Sequence, residues 1–325
     1  MAVTIDWDAI AAARARIAPY ISPTPLRAYA PLDAEVDLGI RVFVKHENHL
    51  PTNAFKARNA MSVLTALDRA RVRGVIAATR GNHGAGLAWA GAQLGVPVVI
   101  CVPLGNNPEK NAAMRGYGAE LIEIGRDYDE AAQHAARLAE ERGLAIAHST
   151  NDVNVIAGAG TLFAELFEQA GALGVTVDAC VVAVGGGSQA VGAIVAARQL
   201  SPHTAIYGVQ AAGASAIHDS WHAKQRLTIE RADTFADGLA TRATYDATWP
   251  TLRDGLAGFV KVDEERLAAA VRMMMRTTHN LAEGAGAAGL AGLLALREQL
   301  AGKTVAIVLS GSNIDAATLA RVLLM

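Results

Sequence analysis

The alternation of apolar segments constrains the fold of this chain most strongly. From about residue 41, short runs rich in β-branched residues alternate with alanine-rich stretches whose apolar positions recur at helical spacing. Continuous apolar strands separated by helices are typical of parallel sheets covered by helices on both faces. The pattern therefore predicts an α/β fold. The predicted strands are residues 41–45, 75–79, 96–102, 120–124, 178–184, 205–209 and 304–310.

The order of these strands indicates two lobes. Four strands precede a helical stretch near residues 151–170, and three follow it. We expect two open, twisted, parallel-sheet lobes: a small domain at residues 49–149 and a large domain formed by residues 1–48 and 150–325. In open parallel sheets, ligands bind at the carboxyl ends of strands, so the turns after strands are candidate sites.

Composition excludes several classes of function. The chain has 325 residues, 52% of them hydrophobic, and a formal net charge of −2, so no basic field attracts nucleic acid or anionic lipid. The uncharged segment 81–108 is broken by Gly95 and Pro97, which predicts a helix, a turn and a strand rather than a membrane span. Cys101 and Cys180 lie in valine-rich runs, and MAVTIDWDAI lacks a secretory signal pattern. We expect a soluble, cytoplasmic protein.

A glycine-rich turn, VGGGSQAVG at residues 184–192, follows one predicted strand and opens a helix. Consecutive glycines let main-chain amides converge on an anion, and the helix dipole adds to the attraction. The turn therefore indicates a phosphate site, although a plain strand-to-helix turn has the same pattern. A dinucleotide is less favoured, because the next strand ends at Gln210 rather than at an acid that would bind a ribose.

Two further turns follow strands. In TRGNHGAG, Thr79, Asn82 and several amides would converge at a helix start suited to a carboxylate. His83 is either a catalytic base or, more commonly at such a position, a structural hydrogen-bonding group. In LSGSNID, Ser310 is a small hydroxyl at a strand end, which suits either a ring nitrogen or a helix N-cap.

One lysine lies in an unusual place. In HLPTNAFKARNA, Lys56 directly follows Phe55 at the start of a predicted helix. Desolvation lowers the pKa of a lysine and makes it a nucleophilic amine, whereas a helix-surface lysine is the plain alternative. A phosphate cradle, a hydroxyl, an amide and a nucleophilic lysine together are what pyridoxal 5'-phosphate requires. The sequence has no CxxC, no HExxH and no paired carboxylates at ligand spacing, so we expect no metal centre.

These motifs resemble, over nearly the whole chain, those of fold-type II pyridoxal-phosphate enzymes of the serine/threonine dehydratase and serine racemase family. PTNAFKARNA is similar to the family's P-T-G-[SA]-F-K-x-R-[GN]-A, and TRGNHGAG is similar to S-x-G-N-H-x-Q-G. VGGGSQAVG resembles its tetraglycine loop, and LSGSNID resembles S-G-G-N-[VI]-D. TFADGLA and AEGAGAAGLAGL match an A-D-G segment and a glutamate-led segment.

The resemblance implies a role for each matching residue. Lys56 would hold the cofactor as a Schiff base, with Phe55 against its ring. Asn82 would bind the phenolic oxygen, and Ser310, with Glu283 nearby, would bind the ring nitrogen. The predicted phosphate ligands are Gly185, Gly186, Gly187 and Ser188, and the predicted substrate-binding residues are Thr79, Arg80, Gly81 and His83.

Departures from the family pattern bear on the reaction. Arg80 stands where serine racemase has the serine that acts as its second base, and an arginine does not lose its proton, so racemisation is less favoured. Asn53 replaces a glycine, and asparagine tolerates left-handed backbone angles. Gln210, Ala214 and Ala216 occupy the metal-site positions of racemase-like members, so we expect no magnesium or calcium there.

The resemblance implies α,β-elimination of L-threonine or L-serine, which gives a 2-oxo acid and ammonia. Three alternatives stay open. The first is elimination from 3-hydroxyaspartate, whose second carboxylate Arg80 could bind, or from phenylserine. The second is an amino-acid racemase, and the third is a cofactor-free amino-acid-binding protein on the same scaffold. The family also implies a homodimer.

Overall fold

Two β-sheets organise residues 5–325, the part of the chain that this computed structural model describes. The strands are β1 (Leu26–Ala28), β2 (Arg41–His46), β3 (Val75–Ala78), β4 (Val98–Val102), β5 (Glu120–Glu123), β6 (Ala145–Ile146), β7 (Ala179–Ala183), β8 (Ala205–Ala211), β9 (Gly258–Val262) and β10 (Thr304–Leu309). The large sheet has the order β1-β2-β10-β7-β8-β9, and the small sheet has the order β5-β4-β3-β6. All neighbours are parallel except β1 and β2.

Helices cover both faces of each sheet. They are α1 (Trp7–Ile17), α2 (Ala30–Val36), α3 (Lys56–Thr65), α4 (Asn82–Leu94), α5 (Pro108–Gly116), α6 (Tyr128–Arg142), α7 (Val153–Ala172), α8 (Ser188–Leu200), α9 (Ala216–Ala223), α10 (Trp249–Gly255), α11 (Glu264–Thr278), α12 (Gly284–Leu296) and α13 (Ala316–Leu324). On the large sheet, α2, α11 and α12 pack on one face and α1, α7 and α8 on the other. On the small sheet, α3 and α4 face α6 across the strands. The α/β prediction is confirmed.

All seven predicted strands form, and the sequence missed β1, β6 and β9. The first two are only three and two residues long, and β9 is an edge strand whose sequence GFVKV includes a lysine. The small sheet draws its strands from residues 75–146 and the large sheet from residues 26–46 and 179–309. The domain boundaries after residues 48 and 149 stay predictions, and residues 1–4 of the predicted large domain lie outside the described residues.

Helix α7 sets the spacing between the two helices that begin at the predicted site. A Cβ atom added at Gly158 of α7 would lie 2.7 Å from the main-chain oxygen of Arg58 in α3. A Cβ atom added at Gly192 of α8 would lie 2.7 Å from the Cα atom of Gly160 in α7. Only glycine permits such approaches, so main-chain contacts hold α3 and α8 against the same helix.

Two expectations about environment can be compared with the structure. Cys101 and Cys180 are buried free thiols in β4 and β7, as the valine-rich runs predicted. Within residues 5–325, no helix combines the length and the apolar character needed to cross a bilayer.

Candidate active site

A cleft of about 970 Å³ lies at the carboxyl ends of strands from both sheets. Every residue that the sequence assigns to the site lines it. They are Phe55, Lys56, Thr79, Arg80, Gly81, Asn82, His83, Gly185, Gly186, Gly187, Ser188, Glu283 and Ser310. Because these residues come from separate turns, the fold brings together what the sequence keeps as much as 255 positions apart (from 55 to 310). Their individual roles stay predictions.

The turn before Lys56 is fastened to the end of β10. Asn53 adopts a left-handed backbone conformation with φ of 54°, which is the conformation that glycine favours at such a turn. The main-chain amide of Phe55 donates to the carbonyl of Ser310 at 2.9 Å. Lys56 is the first helical residue of α3, and its Nζ donates to the carbonyl of Ser149 at 2.9 Å. The turn therefore aims the amine inward.

The electrostatic setting of Lys56 favours a neutral amine. Burial lowers its pKa from 10.5 to about 8. No carboxylate within residues 5–325 forms an ion pair with its Nζ, which lies 5.0 Å from the centre of the Phe55 ring. A carbonyl partner stabilises the ammonium form less than a carboxylate would, so a large fraction of this lysine is unprotonated and nucleophilic near pH 8.

The glycine-rich turn is crowded from two sides. A Cβ atom at Gly185 would lie 2.1 Å from the carbonyl of Gly238, and one at Gly186 would lie 2.3 Å from Oγ1 of Thr150. Gly187 has φ of 100°, and Ser188 begins α8. Because the first amides of a helix have no intrahelical acceptor, this turn presents free main-chain donors. Glycine is required here, and the turn has the main-chain donors that the predicted phosphate site needs.

Asn82 lies in a chain of side-chain hydrogen bonds at the start of α4. Its Nδ2 donates to Oε1 of Glu283 at 2.7 Å, and its Oδ1 accepts from Nδ2 of Asn313 at 2.7 Å. An asparagine amide has two N–H donors, so one of them stays available for a ligand. Burial raises the pKa of Glu283, although the positive charge of Lys110 and the bond from Asn82 oppose the shift.

Ser310 follows the central strand β10 at the floor of the cleft. It is buried, and its Oγ donates to the carbonyl of Ala285 over a long 3.3 Å. A hydroxyl can rotate toward a stronger acceptor, such as a ring nitrogen, at little cost. The geometry therefore fits the predicted role and gives no sign of an N-cap, because α13 begins only at Ala316.

The turn TRGNHGAG, residues 79–86, is suited to a carboxylate through its main chain. Nε2 of His83 lies 3.0 Å from the carbonyl of Ala147 and therefore carries the proton, while its buried Nδ1 has no partner within residues 5–325. Burial and the nearby charge of Lys56 lower the pKa of His83 to about 3. The neutral ring thus has its donor in use, so the amides at the start of α4 are the donors that a ligand carboxylate could use.

Arg80 is an exposed member of the same turn. It lines both the cleft and an adjoining cavity of about 360 Å³. Within the described residues its guanidinium forms no ion pair. The one hydrogen bond that Arg80 forms there beyond its own turn is at its main-chain carbonyl, which accepts from Nδ2 of Asn106 at 3.3 Å. A free guanidinium at the cleft is available to a ligand carboxylate.

The sequence reasoning missed the loop between β6 and α7. Its carbonyls at Ala147 and Ser149 accept from His83 and Lys56, and Thr150 packs against the glycine turn. His148 lines the cleft as well. The segment AHST carries no glycine signature and follows a strand of two residues, so it gave no signal.

Two ion pairs that cross the cleft were also missed. Lys110 of α5 pairs with Asp237, and Arg242 pairs with Asp129 of α6. Asp237 lies in the segment TFADGLA, which the sequence analysis noted without assigning this contact. Both pairs join a helix of the small sheet to the segment between α9 and α10 of the large-sheet part of the chain, across the cleft that all four residues line.

Gln210, Ala214 and Ala216 are the positions that correspond to the metal site of racemase-like members. Oε1 of Gln210 accepts from the main-chain amide of His218 at 2.9 Å. Ala214 is buried, and Ala216 begins α9. Residues 5–325 contain no group of three or more His, Cys, Asp or Glu side chains placed to hold a metal ion. Absence of a metal in solution stays a prediction.

The chain is similar to pyridoxal-phosphate-dependent enzymes in both sequence and fold. The family model described as pyridoxal-phosphate dependent enzyme matches residues 17–311. The L-threonine ammonia-lyase of Geobacter sulfurreducens is 39% identical over 284 residues, covering 87% of this chain and 69% of that protein. The L-threo-3-hydroxyaspartate ammonia-lyase of Pseudomonas sp is 34% identical over 309 residues, covering 95% of each. The crystal structure of a threonine deaminase from T.th. has a TM-score of 0.90 at 38% identity, covering 95% of this chain and 99% of that one.

Proposed function

The chain belongs to the family of pyridoxal-phosphate-dependent enzymes, and from this premise we propose that it is an ammonia-lyase acting on L-threonine or L-serine. The products are a 2-oxo acid and ammonia. One observation carries the proposal: the Lys56 amine, whose pKa burial lowers to about 8, shares a cleft with a glycine cradle for an anion. Membership of the family argues against the alternative of a cofactor-free binding protein.

The residues of the cleft fit the cofactor. The turn at Gly185 and Gly186 has no room for a Cβ atom, and the amides that begin α8 are donors without helical acceptors, as a phosphate requires. Lys56 is placed to bind an aldehyde carbon. Asn82 keeps one free N–H, and Ser310 keeps a rotatable hydroxyl, for the polar atoms of the ring.

The chemistry divides between the cofactor and the chain. When bound, pyridoxal phosphate supplies an electron-withdrawing ring that stabilises negative charge at the substrate α-carbon. Lys56 accepts the α-proton at Nζ, because its lowered pKa leaves about half of the amine neutral near pH 8. Ser149 holds the same amine by its carbonyl, which orients the base. Ser310 would offer the ring nitrogen a neutral hydroxyl rather than a charged group. A neutral partner limits how much negative charge the ring takes up, which favours early loss of the β-hydroxyl.

The remaining residues bind and enclose the substrate. Main-chain amides at Gly81 and His83, at the start of α4, bind the α-carboxylate. The ion pair of Lys110 with Asp237 holds loops of the two sheets together over the cleft. A closed cleft excludes water from the reacting atoms and strengthens the electrostatic contacts inside it.

A second candidate substrate is 3-hydroxyaspartate, and the free guanidinium of Arg80 favours it. Its second carboxylate would form a charge-assisted pair that L-threonine cannot form. Phenylserine is a further dehydratase substrate to test. A racemase is less supported, because the arginine at position 80 cannot serve as the second base.

A substrate panel tests the proposal. The enzyme is incubated with L-threonine, L-serine, L-threo-3-hydroxyaspartate and phenylserine, and the 2-oxo acid is measured with time. We expect the highest kcat/KM with L-threonine or L-serine. The variant Arg80→Gln should then leave kcat/KM for both nearly unchanged, as should Arg321→Gln, an exposed control that lines only the adjoining cavity. If the wild type instead prefers 3-hydroxyaspartate, and Arg80→Gln alone loses that preference, then 3-hydroxyaspartate replaces L-threonine and L-serine as the proposed substrate.

The proposal also includes the compartment, the assembly and the domain boundaries. A cytoplasmic location is supported by two buried, free cysteines. Burial raises the pKa of Cys180 to about 12, so this thiol is unreactive.

A homodimer is supported by the family resemblance, and sedimentation of the purified protein tests it. Limited proteolysis near residues 48 and 149 tests the two-domain division.

A further inference from the structure

His148 occupies the centre of the loop that holds two other site residues. It lies between Ala147, whose carbonyl accepts from His83, and Ser149, whose carbonyl accepts from Lys56. Its side chain lines the cleft. The loop that carries this ring is therefore held to both His83 and Lys56 by its main-chain carbonyls.

Hydrogen bonds fix the tautomer of this histidine. Nδ1 accepts from the main-chain amides of Thr150 at 2.9 Å and Asn151 at 2.8 Å, so the proton lies on Nε2. Within residues 5–325, Nε2 has no acceptor. Tyr245 packs edge-on against the ring with 5.3 Å between centroids, which limits its rotation. Burial and then the charge of Lys56 lower the pKa of His148, so the ring is neutral.

We propose that His148 determines specificity in the reaction proposed above by donating a hydrogen bond from Nε2 to the oxygen on the substrate β-carbon. The inference rests on the proposed function. The proposed function assigns the α-carboxylate to the amides at the start of α4, and it assigns no side chain of the protein to the β-oxygen. His148 keeps its proton and holds this oxygen, so it selects substrates that carry one.

Two substrates with a common product isolate this contact. L-Serine and β-chloro-L-alanine both give pyruvate and ammonia after elimination, but only L-serine carries a β-oxygen. His148→Asn places an amide oxygen where Nδ1 lies, which preserves the acceptor for the two main-chain amides and removes the Nε2 donor. His148→Gln instead places an amide donor close to the position of Nε2. His134→Gln, on the outer side of α6, is the matched control.

Pyruvate formation is measured for each variant with each substrate. We expect His148→Asn to lower kcat/KM for L-serine about 10- to 100-fold and for β-chloro-L-alanine less than about threefold, since one hydrogen bond is lost in the first case only. His148→Gln should recover part of the L-serine rate, and His134→Gln should match the wild type with both substrates.

Two results would overturn the inference while leaving the proposed function intact. Equal losses with both substrates in His148→Asn and His148→Gln would make the histidine a support of the loop only. An unchanged kcat/KM for L-serine in His148→Asn would show that Nε2 does not bind the β-oxygen. A wild type that forms a 2-oxo acid from neither L-serine nor L-threonine overturns the proposed function, and this inference with it.

Discussion

Two basic residues on helix α3, the buried Arg58 and the half-buried Lys56, have opposite surroundings. Arg58 is fully buried and bonds carboxylates on two sides, through Nε to Glu47 at 2.7 Å and through Nη1 to Glu165 at 2.6 Å. Lys45 completes this cluster with a 2.9 Å contact to Glu165, so two positive and two negative charges lie together. Lys56, two residues before Arg58, has a single carbonyl as its hydrogen-bond acceptor.

The pKa values follow this difference. Burial alone would lower the pKa of Arg58, but the attraction of Glu47 and the hydrogen bonds to Glu165 outweigh it and raise the pKa. For Lys56 burial acts without opposition, and the pKa falls to about 8. The same helix therefore keeps Arg58 charged within an ion-pair cluster, whereas Lys56, which has no counter-ion among residues 5–325, has a pKa that favours the neutral amine.

The largest expected effect in this comparison is on activity at Lys56. Lys56→Ala should lower 2-oxo acid formation at least ~10⁴-fold, because both the covalent attachment and the base are lost. In cofactor-free protein its free energy of unfolding should change by less than ~1 kcal/mol, since no ion pair is broken. Activity is measured with L-threonine, and stability is measured by urea unfolding. Lys303→Ala, at an exposed lysine, is the control; substantial turnover by Lys56→Ala would contradict its role.

The next effect is on stability at Arg58. Arg58→Met leaves Glu47 and Glu165 buried with only Lys45 to neutralise them, and the expected loss is about 3–5 kcal/mol in the free energy of unfolding. Urea unfolding followed by circular dichroism measures it. Arg126→Met, which removes an exposed ion pair with Glu130, should leave the urea midpoint nearly unchanged. If Arg58→Met unfolds at the wild-type midpoint, the cluster does not stabilise α3.

The smallest effect is a shift in amine reactivity with pH. Only the neutral amine reacts with acetic anhydride, so labelling rises as pH increases through the pKa. In cofactor-free protein, Lys56 should reach half-maximal labelling near pH 8, about two units below an ordinary lysine. Peptide mass spectrometry compares it with exposed Lys261 and with Lys45, which is buried and should stay unlabelled while the protein is folded. A Lys56 midpoint near that of Lys261 would refute the lowered pKa.

The turns of the site were predictable because each is a local pattern. Glycines at 185–187 and the lysine after Phe55 carry their signal within a few positions, and the strands before them fix where they lie. The resemblance to a known family then supplied the roles. The prediction of an α/β fold succeeded for the same reason, because most of the seven predicted strands are short runs rich in apolar, β-branched residues.

The remaining contacts depend on residues that are distant in the chain. Arg58 meets Glu165 across 107 positions, and Lys110 meets Asp237 across 127. The motif around Lys56 includes Arg58, but it does not say which carboxylates the guanidinium meets. His148 was missed because its function depends on two main-chain amides and on the position of the loop, neither of which leaves a residue pattern.

The glycine contacts of α7 have a consequence for protein engineering. Because α3 and α8 touch α7 through Gly158 and Gly192, backbone atoms fix the separation of the amine from the anion cradle. Side-chain redesign elsewhere leaves that separation intact. New substrates can therefore be sought by randomising the loop around Tyr245, on the rim of the cleft, whereas adding a single methyl group at either glycine would push the two halves of the catalytic apparatus apart.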